Sequence, residues 1–158
     1  MKQIAFLLLM MCLQAACQES GKDRLTRLVQ EWDGKEIVFP AQAVFTVQGR
    51  DTVDFRWQAA PYRIVTYVDS IGCTSCKLQL PKWKQLIAET DSLFGKEKLS
   101  YVFFFHPKDA RELTYLTRRD GFTYPVCFDR EDTFNSLNRF PSEMALQTFL
   151  LDKGNRVV

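Results

Sequence analysis

The sequence predicts an α/β fold with a mixed central sheet. From residue 62 onward, strand-like and helix-like segments alternate, which is the order expected of such a fold. Residues 99–105 are almost all apolar, as in a central strand that is covered on both faces. A helical run at 77–90 continues an apolar stripe that would face the sheet, formed by Cys76, Leu80, Trp83 and Ile87.

The remaining elements of the main domain follow in chain order. A strand at 62–68 precedes the helical run, and the central strand is followed by a helix at 109–119, a strand at 124–128, a helix at 132–138 and a strand at 147–151. A turn at 152–155 then leads into the start of another strand at 156–158.

An N-terminal addition precedes this domain. We predict that residues 17–60 are a tether followed by a helix and a hairpin, and that residues 61–158 are the main domain. The expected elements of the addition are a helix at 24–32, a strand at 36–39, and a hairpin that joins 43–47 to 51–57.

Residues 1–16 are typical of an export signal. Lys2 supplies a positive start, residues 4–11 are apolar, and small residues precede Cys17. The apolar run is shorter than the roughly 20 residues that a membrane-spanning helix needs. A cysteine after two alanines resembles the lipobox of bacterial lipoproteins, which implies that Cys17 is acylated. Gln14 stands where that motif usually has leucine, so simple cleavage and release is the alternative.

The charge and the cysteine content exclude some classes of function. The formal net charge is +2, so we expect no nucleic-acid partner. Of five cysteines, Cys12 is lost with the signal, and three remain beyond Cys17. Cys73 and Cys76 would close a very short loop, and such a disulfide adds little stability. Chemistry explains this pair better than scaffolding does.

The cysteine pair lies in a redox context. Residues 72–77 read Gly-Cys-Thr-Ser-Cys-Lys, between a predicted strand and a predicted helix. Two cysteines separated by two residues at this position are typical of thiol–disulfide exchange. The positive end of the helix favours a thiolate on Cys73, and Cys76 lies within one helical turn of it.

This stretch resembles the thioredoxin superfamily. Residues 73–81 match the pattern Cys-x-x-Cys-Lys-x-x-x-Pro, and the chain from about residue 61 is most similar to lipid-anchored thioredoxin-like proteins of Bacteroidetes-type bacteria. The resemblance implies a thioredoxin-like α/β sandwich. It also implies an additional C-terminal helix, so that the chain would be a C-terminally truncated version unless a preceding element covers that sheet face.

The resemblance also implies roles for the residues of the motif. Cys73 would be the attacking thiol and Cys76 the resolving thiol, and the two would form the redox disulfide. Pro81 would kink the active-site helix. Thr74, Ser75 and Lys77 are the supporting positions, and the residues between the cysteines help to set the reduction potential.

The resulting functional hypothesis is an exported, membrane-anchored thiol–disulfide oxidoreductase. We expect a monomer without a cofactor, held by its N-terminal lipid on the periplasmic side of a bacterial membrane in the cell envelope. Its partners would be exported protein thiols or disulfides and a membrane electron donor.

Two departures from the family favour a different class, a non-catalytic binding module. Tyr67 stands where the family often has a buried acid, and Asp69 is better explained as a residue of the strand-end turn than as a general base. Leu146 stands where the family has a cis-proline, and Pro141 is too far from that position to replace it.

Metal and relay functions are weaker alternatives. Zinc needs about four nitrogen or sulfur ligands, which the spacing does not supply. His106 with Cys73 and Cys76 would suit a copper-handling protein, but the copper branch of the family has three residues between its cysteines. We therefore expect no metal site. Cys127 is expected to be a buried apolar residue, with a third redox thiol as the alternative.

Overall fold

The structure, a computed structural model, describes residues 21–158. The predicted export signal and Cys17 lie outside these residues. Helix α1 spans Gly21–Trp32. Its residues up to Glu31 belong to an N-terminal unit, and Trp32–Val158 forms a second compact unit. Within residues 21–158, none of the helices is long and apolar enough to cross a membrane.

The second unit is built on one six-stranded sheet. Its strands are β1 (Phe45–Val47), β2 (Asp51–Thr52), β3 (Tyr62–Val68), β4 (Leu99–Phe105), β5 (Val126–Phe128) and β6 (Thr148–Leu151), in the spatial order β2-β1-β5-β4-β3-β6. Strands β3, β4 and β5 run parallel, whereas β1 and β6 pair antiparallel with β5 and β3. The predicted mixed sheet is confirmed.

Four helices accompany the sheet. They are α2 (Thr74–Leu78), α3 (Leu80–Phe94), α4 (Ala110–Arg119) and α5 (Thr133–Asn138). The carboxylate of Asp109 caps α4 by accepting the N–H of Arg111 at 2.8 Å, and Leu113 and Leu116 on its inner face are buried. Spacing of the apolar residues therefore explains why α4 packs on the sheet.

Strand β4 separates two hydrophobic cores. Val102 and Phe104 contribute to one core, and Tyr101, Phe103 and Phe105 contribute to the other. All five side chains are at most 1% exposed. Successive side chains of a strand point to opposite faces, so an unbroken apolar run is what a strand between two cores requires.

The hairpin of the N-terminal addition belongs to the same sheet. β1 pairs with β2 and also with β5, where Phe45 lies opposite Cys127. The turn between β1 and β2 has positive φ angles at Gln48 and Gly49. A Cβ atom at Gly49 would lie 2.6 Å from Oγ1 of Thr114, so only glycine lets the turn approach α4 this closely.

Two predicted strands are wrong. Glu36 and Arg156 form only an isolated bridge, and neither 36–39 nor 156–158 becomes a strand. The backbone N–H and C=O of Val38 form hydrogen bonds with the Asn138 side chain instead of with a neighbouring strand. Asn138 accepts its N–H at 2.8 Å and donates to its carbonyl at 2.8 Å.

Removing this side-chain bridge should destabilise the fold. In Asn138→Ala, the N–H and C=O of Val38 lose their partner, and we expect the free energy of unfolding to fall by roughly 2–4 kcal/mol. Urea titration measures the change. Ser136→Ala, at an exposed position of the same helix, is the control and should change stability by less than about 0.5 kcal/mol. Similar small effects from both variants would contradict the assignment.

Candidate functional site

The cysteine pair lies beyond the carboxyl end of β3. Cys73 and Cys76 form a disulfide with a Cα–Cα distance of 5.4 Å, and both residues are exposed. Cys73 is the N-cap of α2, and its Sγ accepts the backbone N–H of Cys76 at 3.3 Å. A sulfur that already accepts an N–H is better able to carry negative charge than one without a donor.

The two residues between the cysteines make different contacts. Thr74 is half-buried, and its Oγ1 donates to the carboxylate of Glu112 on α4 at 3.4 Å. Ser75 is exposed, and its Oγ lies 3.4 Å from Sγ of Cys73. Thr74 therefore attaches the cysteine segment to α4, whereas Ser75 adds a polar group beside the first sulfur. Glu112 is a site residue that the sequence analysis missed.

The predicted helix at 77–90 is two helices. Gln79 separates α2 from α3 with a left-handed φ of 44°, and its carbonyl accepts the N–H groups of Lys82 and Trp83. Pro81 lies in the first turn of α3, where its missing N–H costs nothing. In a continuous helix it would clash with the carbonyl of Lys77. The chain is therefore broken just before Pro81.

A polar cluster of Asp69, Lys77 and Gln147 lies under the motif. The Lys77 ammonium pairs with Oδ1 of Asp69 at 2.5 Å, and these side chains are only 17% and 12% exposed. Gln147, 3% exposed, donates from Nε2 to Oδ2 of Asp69 and to the carbonyl of Pro141, both at 3.0 Å. The cluster connects α2 to β3 and to the segment before β6. The sequence did not predict Gln147 as a residue of the site.

Asp69 is held in its charged form. Burial opposes ionisation, but hydrogen bonds from Lys77, Gln147 and the Ile71 N–H outweigh it and lower the pKa of this carboxyl. Asp69 also accepts the N–H of Ile71 at 2.7 Å, as a residue of a strand-end turn does. With its oxygens occupied by these donors, Asp69 has the contacts of a structural anion.

An open cavity of about 320 Å³ begins at Lys77, next to Cys76. It lies between Trp83 and Leu86 of α3 and a short 3₁₀ turn, Met144–Leu146. This turn occupies the place where the resemblance puts a cis-proline, and every peptide bond within residues 21–158 is trans. The N–H of Tyr67 pairs with the carbonyl of Gln147 immediately after the turn, at 2.9 Å.

Tyr67 and His106 have partners away from the disulfide. Tyr67 is buried and donates to Oδ1 of Asp132 at 2.7 Å; burial first, and this hydrogen bond second, raise its pKa. It therefore stays protonated and cannot replace the missing acid as a base. Nδ1 of His106 lies 2.9 Å from the carbonyl oxygen of Asp129. In the part of the chain that the structure describes, no three His, Cys, Asp or Glu side chains are grouped to hold a metal ion.

Cys127 lies in a hydrophobic core. It is 6% exposed and belongs to the core that contains Phe104. Burial, with the charge of Asp129 as a smaller cause, raises the pKa of its thiol to about 12. The thiol is thus neutral at physiological pH, which makes it a poor nucleophile.

Comparison with solved structures identifies the fold. The thioredoxin domain of a thiol-disulfide oxidoreductase from Bacteroides vulgatus is 14% identical with a TM-score of 0.56, covering 80% of this chain and 85% of that one. A protein assigned as thiol:disulfide interchange protein DsbE from Chlorobium tepidum is 15% identical with a TM-score of 0.57, covering 79% and 81%. Peroxiredoxin Q from Xanthomonas campestris is 15% identical with a TM-score of 0.52, covering 77% and 82%.

These similarities establish the thioredoxin fold, as predicted. No protein-family model matches the chain, and no curated protein matches it in sequence. At such low identity the likeness concerns the fold alone, and it includes proteins with different redox activities. The chain thus combines the thioredoxin fold with a Cys73–Cys76 disulfide.

The charge on Asp69 should make part of the stability depend on pH. Because its pKa is lower in the folded chain than in the unfolded chain, the carboxylate stabilises the fold above about pH 4, and this contribution is lost as the pH falls through the lowered value. At pH 7, Asp69→Asn should lower the free energy of unfolding by roughly 1–3 kcal/mol. The difference from the unmodified chain should shrink below about pH 4.

Urea titrations between pH 7 and pH 3 would measure this effect. The control is Asp54→Asn, which removes an ion pair with Arg56 whose side chains are 77% and 82% exposed. Such a pair contributes little, so this variant should match the unmodified chain at every pH. A loss in Asp69→Asn that does not change with pH would argue against a charged Asp69.

Proposed function

We propose that the protein is a thiol–disulfide oxidoreductase that exchanges disulfides with protein partners through Cys73 and Cys76. The observation that carries the proposal is the exposed Cys73–Cys76 disulfide at the start of a helix in a thioredoxin fold. Exposure of both cysteines allows a partner sulfur to reach the pair. The N–H of Cys76 supports a thiolate on Cys73, which is the form that attacks.

In the reducing direction, the reduced pair transfers two electrons to a partner disulfide. The Cys73 thiolate attacks one partner sulfur, a Cys73–partner bond forms, and the partner's own S–S bond breaks to release a thiolate. Cys76 then loses its proton to solvent and attacks Sγ of Cys73. This step reforms the Cys73–Cys76 disulfide and releases the second partner sulfur. Oxidation of a partner dithiol follows the same steps in reverse.

The surrounding residues support this chemistry by fixing the cysteine segment. Thr74 is attached to α4, and Lys77 is attached to Asp69 and Gln147. The charge of Lys77 is paired within this cluster, so it orients α2 more than it attracts anions. The cavity beside Lys77 leaves space at the motif for part of a partner chain.

A non-catalytic binding module is the second candidate. Two observations favour it: the 3₁₀ turn Met144–Leu146 stands in the expected cis-proline position, and buried Tyr67 stands in the position of the acid. Both features would slow exchange relative to other members of the fold. Such a module would keep the disulfide without turning it over.

We also propose that the protein is exported and anchored by acylated Cys17 on the periplasmic side of a bacterial membrane. The apolar run at 4–11 and the small residues before Cys17 support this location. A location in the cell envelope would place the cysteine pair where protein disulfides form and persist. A membrane electron donor would then reduce the Cys73–Cys76 disulfide again after each partner disulfide has been reduced.

Replacing one cysteine at a time should separate the two candidate functions. In residues 18–158, which contain the whole sheet and both cores, Cys76→Ser should accumulate mixed disulfides because the resolving step is lost. Cys73→Ser should accumulate far less, because its remaining thiol lacks the N-cap contact. Each variant is incubated with a protein extract that has been reduced and reoxidised. Non-reducing electrophoresis then measures the amount of mixed disulfide that each variant forms.

Buried Cys127 provides the control for this experiment. Cys127→Ser should leave the exchange activity of the pair unchanged. The reduction potential of the pair should lie above about −300 mV in glutathione and dithiothreitol buffers, as for an exchangeable disulfide. A pair well below that value, together with the absence of mixed disulfides in Cys76→Ser, would favour the binding module.

The anchor can be tested separately from the redox chemistry. Expressed in a bacterium with its full sequence, the chain should incorporate labelled fatty acid and fractionate with membranes. Cys17→Ser should abolish the label and release the protein, whereas Cys12→Ser, within the predicted signal, should change neither result. An unlabelled protein cleaved before or near Cys17 would indicate simple secretion.

A further inference from the structure

A second feature lies on the outer face of α4. Among residues 21–158, an open groove of about 710 Å³ is lined by four arginines and no carboxylate, and we call it the arginine groove. Its arginines are Arg111, Arg118, Arg119 and Arg130, and its remaining lining residues are Gln48, Ala110, Thr114 and Tyr115. Three segments of the chain line the groove: α4, the β1–β2 turn with Gln48, and the segment just after β5 with Arg130.

Helix geometry explains why the arginines converge. Arg111 and Arg118 are seven residues apart and so lie on one face of α4, opposite the buried residues Leu113 and Leu116. The β1–β2 turn packs on this helix at Thr114, because Gly49 allows the close approach. The groove is therefore held by packed backbone and not by a mobile loop.

Two of the guanidinium groups have no anionic partner. Arg119 pairs with Asp120 at 2.7 Å, and Arg111 lies 3.5 Å from Asp109 while remaining 94% exposed. Neither Arg118 nor Arg130 has a side-chain ion pair or hydrogen bond among residues 21–158. A planar guanidinium pairs well with a carboxylate through two parallel hydrogen bonds. Exposed Tyr115 adds an amphipathic side chain to the lining of the groove.

The groove begins close to the redox motif. Glu112, the neighbour of Arg111, accepts the hydroxyl of Thr74, which is next to Cys73. From Arg111 to Arg118 the helix advances by about 10 Å. An extended peptide covers this distance with about three or four residues. An extended partner chain at the redox motif can therefore continue along α4 into the groove.

We propose that the arginine groove binds an acidic segment of the protein partner whose disulfide is exchanged at Cys73 and Cys76. The inference rests on the proposed oxidoreductase function and adds the class of partner to it. Carboxylates of this segment would pair with Arg118 and Arg130. Such pairing increases the rate of encounter and selects acidic partners over basic ones.

Exchange rates with matched peptides test this proposal. The substrates are disulfide-linked peptide dimers in which each cysteine is followed by a short neutral spacer and either four glutamates or four glutamines. Reduced residues 18–158 should react with the glutamate peptide about tenfold faster at low salt, and the advantage should decline as salt is added. Arg118→Gln/Arg130→Gln should lose most of this advantage.

Two controls keep the interpretation specific. Lys96→Gln/Lys98→Gln removes the same charge from exposed positions outside the groove and should retain the advantage. Hydroxyethyl disulfide is neutral and small, so all variants should reduce it at the same rate. Equal rates with the two peptides, or equal losses in the lysine and arginine variants, would overturn the proposal.

A binding measurement separates failure of the groove from failure of the proposed function. If neither peptides nor hydroxyethyl disulfide react, the oxidoreductase function is wrong. Fluorescence anisotropy with a cysteine-free glutamate peptide still tests the groove, and binding should weaken at least fivefold in Arg118→Gln/Arg130→Gln. Unchanged binding would overturn the proposal. A second outcome would also overturn it: the protein sediments with phosphatidylglycerol vesicles in a way that depends on these arginines, but it does not bind the glutamate peptide. The groove would then bind a membrane surface and not a partner protein.

Discussion

The parallel pairing of β3 with β4 determines where the Cys73–Cys76 disulfide lies. Seven residue pairs join the strands, from Tyr62 opposite Leu99 to Val68 opposite Phe105. Parallel strands end at the same edge of a sheet, so the chain that follows β3 and the chain that follows β4 lie side by side. The cysteine segment and the residues before α4 therefore meet at this edge. The hydrogen bond between Thr74 and Glu112 is the local result.

The cysteine segment depends on tertiary contacts for its position. Helix α2 has only five residues, too few to be stable alone. Left-handed Gln79 separates it from α3, so the longer helix does not fix its direction. The contacts of Thr74 with α4 and of Lys77 with Asp69 hold it from two sides. Gln147 extends the second contact to the segment before β6.

The elements that periodicity predicts are those with a repeated local pattern. The strands at 62–68 and 99–105 have the predicted bounds. The second is an almost unbroken apolar run that suits burial between two cores, and the first is strand-like although Arg63 and Thr66 interrupt its apolar residues. The segments at 36–39 and 156–158 look like strands, but whether they pair depends on neighbours that are distant in sequence. For Val38 the decisive neighbour is Asn138, which is 100 residues away.

The residues of the site also fall into those that a local pattern predicts and those that depend on distant neighbours. Its cysteines are recognisable from spacing, since their chemistry is a local motif. Glu112 and Gln147 carry no local signal, because each becomes part of the site only through sheet pairing or helix packing. The break at Gln79 is intermediate. Pro81 indicates an interruption, but no local signal identifies Gln79 as the left-handed residue, which lies between the buried residues Leu78 and Leu80.

The two cationic regions, at Lys77 and in the arginine groove, differ physically. Lys77 is mostly buried and paired with Asp69, so its field is largely neutralised and its effect is structural. Arg118 and Arg130 lie in an open groove to whose lining the described part of the chain contributes no carboxylate, so their field extends into solvent. The screening length is about 8 Å at physiological salt, comparable with the roughly 10 Å that α4 advances from Arg111 to Arg118. An acidic segment would therefore be attracted only when it is already near the groove. Selectivity of this kind would act on the rate of encounter and would leave the proposed exchange steps at Cys73 and Cys76 unchanged.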